Sequence, residues 1–319
     1  MNILITGGSG FIGTRLIDNL LKEKHTVKIY DKTISQKYPD LMIQADVRDQ
    51  KALIEASKNI DVIYNLAAEH ADDVTPLSLY ADVNISGAKN VVIAAEKNDI
   101  KKIIFTSSVA IYGLNRGTPN ETMTAQPFNE YGRTKYEAEK VLLQWIEKDE
   151  NKTLVMLRPS VIFGERNRGN VYNLIKQIAS GKFLMVGSGE NHKSMAYVGN
   201  IASFLALQTT TDKGVSIYNF ADKPDLSSNE IVHIVKDELG IKKSTPRAPY
   251  FIGLLGGYIF DSIAKVTGKK FPVSSIRIKK FCAETTVNTD KLQKSGFKPP
   301  YSLEEGLRNM IQYEFKDRN

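Results

Sequence analysis

Tyr131 and Lys135 stand four residues apart in Tyr131-Gly132-Arg133-Thr134-Lys135. On a helix that spacing puts both side chains on one face. An ammonium beside a phenol lowers the phenol's pKa, so Tyr131 is a candidate acid or base near neutral pH. Ser108 follows the β-branched run Lys102–Thr106. A hydroxyl there can hydrogen-bond the substrate oxygen that gains or loses the proton. Ser108, Tyr131 and Lys135 are therefore the candidate catalytic residues. Tyr-x-x-x-Lys alone arises often by chance on amphipathic helices; a serine one strand earlier and a glycine-rich turn at the start of the chain make the set specific.

That turn is Thr6-Gly7-Gly8-Ser9-Gly10-Phe11-Ile12-Gly13, between a first strand, Asn2–Thr6, and a first helix, Phe11–Lys22. Gly7 allows the tight turn, Gly10 lets the backbone approach a pyrophosphate, and Gly13 lets helix and strand pack closely. Phe11 and Ile12 open the helix, whose free N–H groups face the phosphates. Asp31 closes the second strand, where a carboxylate binds the adenosine ribose hydroxyls and repels a 2′-phosphate, so NAD is expected in preference to NADP. Asp46 and Val47 follow a third strand at Leu41–Gln44 and are placed for an adenine contact. Leu66, Ala67 and Ala68 follow a fourth strand, Asp61–Asn65, and small residues there let the chain pass close to the cofactor.

These residues need a scaffold that lines up strand ends. Strands alternate with helices: Thr26–Tyr30, then the helix Ser86–Lys97, the strand Lys102–Thr106, the helix Tyr131–Glu147 and the strand Leu154–Arg158. Such alternation predicts an α/β fold, a Rossmann-type doubly wound parallel sheet with a smaller C-terminal substrate-binding domain. A helix at Val171–Ala179 belongs to the smaller domain, and a strand at Ser216–Phe220 returns to the large sheet. The expected division is residues 1–164 plus about 197–222 for the cofactor domain, and about 165–196 with 223–319 for the substrate domain.

The bulk properties bound the remaining classes. The chain has 319 residues, one cysteine (Cys282) and a net charge of +7. A single cysteine excludes an internal disulfide and fits a reducing, cytoplasmic setting. The start Met1-Asn2-Ile3-Leu4-Ile5 lacks a basic n-region, so no signal peptide is expected. The longest apolar stretch, Tyr250 to Phe260, has 11 residues and three glycines. That is too short to span a bilayer; it reads as a glycine-bearing helix packed in the smaller domain, with a contact to a membrane surface as the alternative. The cations are spread along the chain without a nucleic-acid-binding motif, which argues against a nucleic-acid partner. His70, Asp72 and Asp73 lack ligand spacing, so no metal site is expected.

With these residues in place, the chain resembles the extended short-chain dehydrogenase/reductases, in the branch of NAD-dependent epimerases and dehydratases. The carriers are the glycine turn, Asp46-Val47, Asn65-Leu66-Ala67-Ala68, Val83-Asn84, Phe105 to Gly113, Tyr131 to Lys135, and Ser302 to Leu307. The resemblance implies that Ser108, Tyr131 and Lys135 act as a triad. It implies that Lys135 also bonds the nicotinamide ribose and that Asn84 supports the site by a backbone contact. It implies a homodimer as well. Dehydratases of this kind carry an Asp-Glu pair directly after the catalytic Ser or Thr; here Val109 and Ala110 stand there and cannot move a proton.

That leaves a nucleotide-sugar 4-epimerase working through a 4-keto intermediate, on a UDP-hexose or UDP-N-acetylhexosamine. The alternatives are a reductase of a 4-keto nucleotide-sugar, or a dehydrogenase like the 3β-hydroxysteroid branch. A non-catalytic NAD-binding regulator is disfavoured because both Tyr131 and Lys135 are present. On the substrate side, Lys193 stands where related enzymes place a diphosphate-binding Arg, which keeps the charge but not the bidentate geometry. Asn170 resembles a uridine-diphosphate contact, Arg277 lies near the place of a second phosphate-binding Arg, and His70 borders the site.

Overall fold

The computed structural model describes residues 1–71, 74–268 and 274–317; Asp72 and Asp73, weighed above as metal ligands, lie outside them. Along the chain run β1 (Asn2–Thr6), α1 (Phe11–Lys22), β2 (Thr26–Asp31), β3 (Met42–Gln44), α2 (Gln50–Ala56) and β4 (Val62–Asn65). A short α3 (Ser78–Tyr80) passes through a π-turn (Ala81–Ser86) into α4 (Gly87–Lys97), followed by β5 (Lys102–Thr106), α5 (Glu130–Ile146), β6 (Thr153–Pro159) and β7 (Val161–Phe163). Next come α6 (Asn170–Ala179), β8 (Met185–Val186), β9 (His192–Tyr197), α7 (Val198–Leu207), β10 (Gly214–Phe220) and β11 (Asp222–Ser227). The chain ends with α8 (Ser228–Glu238), β12 (Arg247–Ala248), α9 (Tyr250–Thr267), α10 (Ser275–Cys282), α11 (Asp290–Lys294) and α12 (Leu303–Ile311).

These elements cluster into two compact units. The first holds residues 1–162, 196–221 and 287–301. Among its described residues, seven strands pair in the order β10-β6-β5-β4-β1-β2-β3, all parallel. Strand direction is uniform because each pair is joined by a crossover long enough to cover a face. The strands are near-continuous apolar runs, as burial on both faces requires. One face packs Leu53, Val91, Ala95, Leu142 and Trp145, and the other packs Leu16, Leu20, Ile201, Phe204 and Leu205. The order reverses at β1, whose neighbours are β2 and β4, and the crevice beyond the carboxyl ends at such a reversal is where these sheets bind ligands.

Residues 287–301 correct the sequence reading, which assigns all of 223–319 to the smaller domain. Here they cluster with the first unit. The Asn288 N–H donates to the Pro119 carbonyl, and the Asn219 side chain donates to the Asn288 carbonyl. Leu292 and Phe297 pack with Phe204 and Phe220. A five-residue helix in a polar stretch carries no period that would announce this return.

The second unit holds residues 163–195, 222–286 and 302–319. In it, residues of β9 pair antiparallel with β11, and β8 pairs parallel with β12. Capping boxes start α8 at Ser227 with Glu230 and α12 at Ser302 with Glu305, and these two helices pack together. The apolar stretch at 250–260 does form a helix, α9. Contrary to the sequence reading, its large side chains are not packed: Phe251 is 70% exposed and Leu255 62%.

Inside the first unit lies one buried ion pair. Arg158 on β6 donates to both carboxylate oxygens of Glu139 on α5, at 2.9 and 2.7 Å. Arg158 also reaches the Tyr112 hydroxyl at 2.8 Å and the Glu121 carbonyl at 3.0 Å. Tyr112 in turn donates to Asn219 on β10. Breaking one side of such a pair leaves a buried charge uncompensated, which costs about 3–5 kcal/mol. We therefore expect Arg158→Met to lower the urea-unfolding free energy by that amount. Arg158→Met combined with Glu139→Leu should lose less, and a double variant as unstable as the single one would assign the loss to packing instead.

Candidate active site

Helix α5 starts at Asn129, whose side chain accepts the Gly132 N–H at 2.9 Å. Gly132 matters beyond the cap. A Cβ there would lie 2.5 Å from the Ala110 carbonyl oxygen, so only glycine lets α5 sit against the turn that carries Ser108. Ser108 itself caps that turn: its Oγ accepts the Ala110 N–H at 3.1 Å. The hydroxyl proton is left to donate outward, and Ser108 acts on the Tyr131 phenol to lower its pKa. Two of the three candidate catalytic residues thus interact.

Lys135 lies one turn further along α5 and is 2% exposed. Its ammonium stands 4.2 Å from the centre of the Phe105 ring. Burial pushes its pKa down to about 7, and the Glu139 carboxylate opposes the shift. Tyr131 behaves differently from the sequence expectation. Burial raises its phenol above the ordinary value, the Ser108 hydrogen bond pulls it partly back, and Lys135 is not among the groups that perturb it. The ammonium interacts with Phe105 and Glu139 instead.

Asn84, in the π-turn before α4, is buried and bonds on three sides. Its oxygen accepts the Glu69 N–H at 2.9 Å, and its nitrogen donates to the Glu69 carbonyl and the Thr134 hydroxyl, each at 3.0 Å. It clamps the segment after β4 onto the helix that carries Tyr131 and Lys135. Sequence reasoning singled out Asn84 but missed Glu139, Arg158, Tyr112 and Thr134. The available signals were Glu139 four residues after Lys135 on the same helical face, and an arginine inside the apolar run of β6.

At the β1–α1 turn, Gly7 has φ of +73°, and a Cβ there would lie 2.6 Å from the Ala67 backbone nitrogen. A Cβ on Gly13 would meet the Gly8 backbone at 2.6 Å. Gly10 starts α1 with no side chain capping its first N–H groups, and Phe11 and Ile12 follow as the first helical residues. The turn therefore packs against Leu66 and Ala67 beyond β4, as its use in a dinucleotide cradle requires. Asp31 accepts the Ser9 N–H at 3.0 Å and the Thr33 N–H at 2.9 Å. Each carboxylate oxygen keeps a lone pair for a ribose hydroxyl. Asp46 is held in a bidentate pair by Arg48, which keeps its carboxyl below the usual range. Val47 is buried against Gly87. The Ser107 hydroxyl is buried without a partner among the described residues. An orphaned donor beside the candidate catalytic serine and a turn with no room for side chains both fit a bound dinucleotide.

Of the proposed substrate residues, His70 is exposed after β4 in the first unit. The other three belong to the second unit. Asn170 is the exposed first residue of α6. Arg277 is exposed on α10. Lys193 is engaged internally, its ammonium donating to the Lys280 and Ala283 carbonyls. Desolvation lowers its pKa to about 8.

Residues 3–221 match the NAD dependent epimerase/dehydratase family. The chain is 52% identical, over 98% of its length and 95% of the relative, to the N-acetyl-alpha-D-glucosaminyl-diphospho-ditrans,octacis-undecaprenol 4-epimerase of Escherichia coli O157:H7. It is 28% identical to the UDP-glucose 4-epimerase of Vibrio cholerae, covering 98% of this chain and 94% of that protein. Among solved structures it superposes on the UDP-N-acetylglucosamine 4-epimerase of Methanobrevibacter ruminantium M1 in complex with UDP-N-acetylmuramic acid. The TM-score is 0.77 at 25% identity, over 98% of this chain and 97% of that one.

The buried ammonium generates a stability prediction. With a folded pKa of about 7 against an ordinary 10.5, the unfolded chain binds more protons between those values. Stability from this group therefore rises as pH climbs from 7 towards 10.5, and the residue is most unfavourable below 7. Lys135→Met removes the charge and keeps the chain length. We expect its Tm to exceed that of the parent at pH 7. The accompanying gain in unfolding free energy should be at most about 1.4 kcal/mol for each tenfold fall in the ammonium's proton affinity on folding. The gap should close towards pH 10; a variant that melts lower at pH 7 would show that the ammonium stabilises the fold.

Proposed function

The chain belongs to the NAD dependent epimerase/dehydratase family and is an enzyme with NAD as its cofactor, and from that premise we propose that it is a 4-epimerase of an N-acetylhexosamine carried on a diphosphate, with a polyprenol beyond the diphosphate. One observation carries the reaction type. The interacting pair Ser108 and Tyr131, with Lys135 on the same helix, sits beside Val109 and Ala110, so protons can move at an alcohol while elimination of water has no acid–base pair to serve it. The polyprenol is taken from the relative at 52% identity, whose substrate carries one.

Bound NAD supplies a hydride acceptor that later gives the hydride back. The residues do the rest. Ser108 holds the C4 oxygen, and Tyr131, deprotonated to the phenolate, takes its proton as C4 is oxidised to the ketone. After the ketone presents its other face, Tyr131 returns the proton as the hydride comes back, so the sum of atoms is unchanged and only the configuration at C4 differs. Lys135 holds the ribose. Gly7, Gly10, Gly13, Phe11, Ile12 and Asp31 hold the dinucleotide, with Asp46, Val47, Leu66, Ala67 and Ala68 along it and Asn84 fixing the loop beside it. His70, Asn170 and Arg277 remain the proposed substrate contacts, whereas the internal bonds of Lys193 favour a supporting role.

The test is direct. Purified enzyme with NAD is given N-acetylglucosaminyl-diphospho-polyprenol in detergent and, separately, UDP-N-acetylglucosamine, and the released sugars are separated by chromatography. We expect the C4 epimer from the lipid-linked substrate, and a loss of about 10²–10⁴-fold in Tyr131→Phe with NAD binding retained. Conversion of the UDP-sugar alone would replace the polyprenol by a nucleoside, and conversion of neither would remove the epimerase reading.

A further inference from the structure

Helix α9 is built the wrong way round for a packed helix. Its small residues face inwards: a Cβ on Gly253 would lie 2.4 Å from a Val186 methyl, and one on Gly257 would lie 2.8 Å from the Ser275 backbone. Asp261, on the same side, accepts the Ser275 N–H at 3.1 Å. The glycines thus bring α9 into backbone contact with α10. The large apolar side chains are left on the other side. Ile252, Leu255, Ile259, Ile263 and Val266 recur at three- and four-residue spacing, the repeat of one helical face, and all are exposed, Val266 by 87%. Phe251 flanks the same stripe. Scattered exposed apolar residues are ordinary, but a continuous stripe along a helix is not.

Charge identifies the occupant. From Tyr250 to Cys282 the sequence has six cationic residues, Lys265, Lys269, Lys270, Arg277, Lys279 and Lys280, against a single acid, Asp261. That segment carries most of the chain's net charge of +7. An apolar face on a segment this rich in cations matches an anionic bilayer, whose surface attracts each nearby lysine or arginine by about 1 kcal/mol. A second copy of the chain matches it poorly. In a two-fold contact the same patch meets itself, so the cations would face cations. Spanning is excluded for this helix, since among the described residues none is long and apolar enough to cross a membrane.

We propose that α9 docks this enzyme onto the surface of an anionic membrane, lying in the interface with its outward stripe among the acyl chains. The lipid-linked substrate, which rests on the functional reading above, gives the docking its purpose; the docking itself needs only the stripe and the charge. The experiment floats full-length enzyme with large unilamellar vesicles of phosphatidylcholine containing 30% phosphatidylglycerol, and with phosphatidylcholine alone. No polyprenyl lipid is present, so the result does not depend on catalysis. We expect the anionic vesicles to bind at least tenfold better, with the difference shrinking at high salt. Leu255→Glu with Ile259→Glu should cut binding at least tenfold while the Tm and the far-ultraviolet spectrum stay unchanged. Both positions are exposed, so the fold has no reason to suffer. Equal flotation of the variant and the parent would overturn the proposal. So would a parent that fails to float, or one that forms a dimer which the double variant dissolves. Flotation without epimerase activity would leave the docking intact and remove the functional reading instead.

Discussion

A buried ammonium sets the terms for the first unit. Lys135 sits among side chains that exclude water, and a charge there is tolerated only if others balance it. Glu139, one turn along, does so, but it adds a second buried charge that needs its own partner. Arg158 supplies it from β6 and bonds Tyr112, which closes the turn opened by Ser108. Ser108 acts on the Tyr131 phenol, one turn before Lys135. The chain of contacts therefore leaves the helix at Glu139 and returns to it at Tyr131, so the placing of the candidate residues and the neutralisation of the buried lysine are linked.

The cofactor end is governed by a steric constraint of the opposite kind. There, nothing must be present. The turn after β1 and the segment after β4 approach until a single methyl at Gly7 would overlap the Ala67 backbone. Parallel pairing of β1 with β4 forces that approach, because it brings both strand ends to the same edge. Asn84 then closes the assembly from the side, with a two-way bond to Glu69 and a third to Thr134. The loop beyond β4 is thereby registered against α5, the helix that carries Tyr131 and Lys135.

The parts that recur locally were legible in the sequence. The strands and helices of the sheet declare themselves by apolar runs and helical spacing, and the glycine turn, Ser108 and the Tyr131–Lys135 pair are short-range patterns. What was not legible depends on contacts between distant segments. Residues 287–301 return to the first unit through a bond from Asn288 to Pro119 and through Phe297 against Phe204, and neither leaves a periodic trace. Lys193 reads as a free cation until β9 and the end of α10 are brought together around its ammonium. The phenol of Tyr131 reads as lowered by Lys135, whereas burial raises it and Ser108, not Lys135, pulls it partly back. Helix α9 is the instructive error. An apolar run says that a helix buries something, but it does not say whether the glycine face or the isoleucine face turns inwards.

That ambiguity bears on how a lipid-linked sugar reaches an enzyme. A long polyprenol gains about 0.8 kcal/mol for every methylene it keeps out of water. Drawing the whole chain out of a bilayer would require an apolar cavity of matching length. The described residues of the second unit turn apolar side chains outwards along α9 instead. The less demanding arrangement leaves the lipid where it is and brings the protein to the headgroup level, where the diphosphate and sugar already lie. A modest apolar face combined with a modest cationic one suits this purpose, because two weak signals hold a protein reversibly where one strong signal would fix it. In that reading the exposed stripe of α9 follows from the solubility of the substrate.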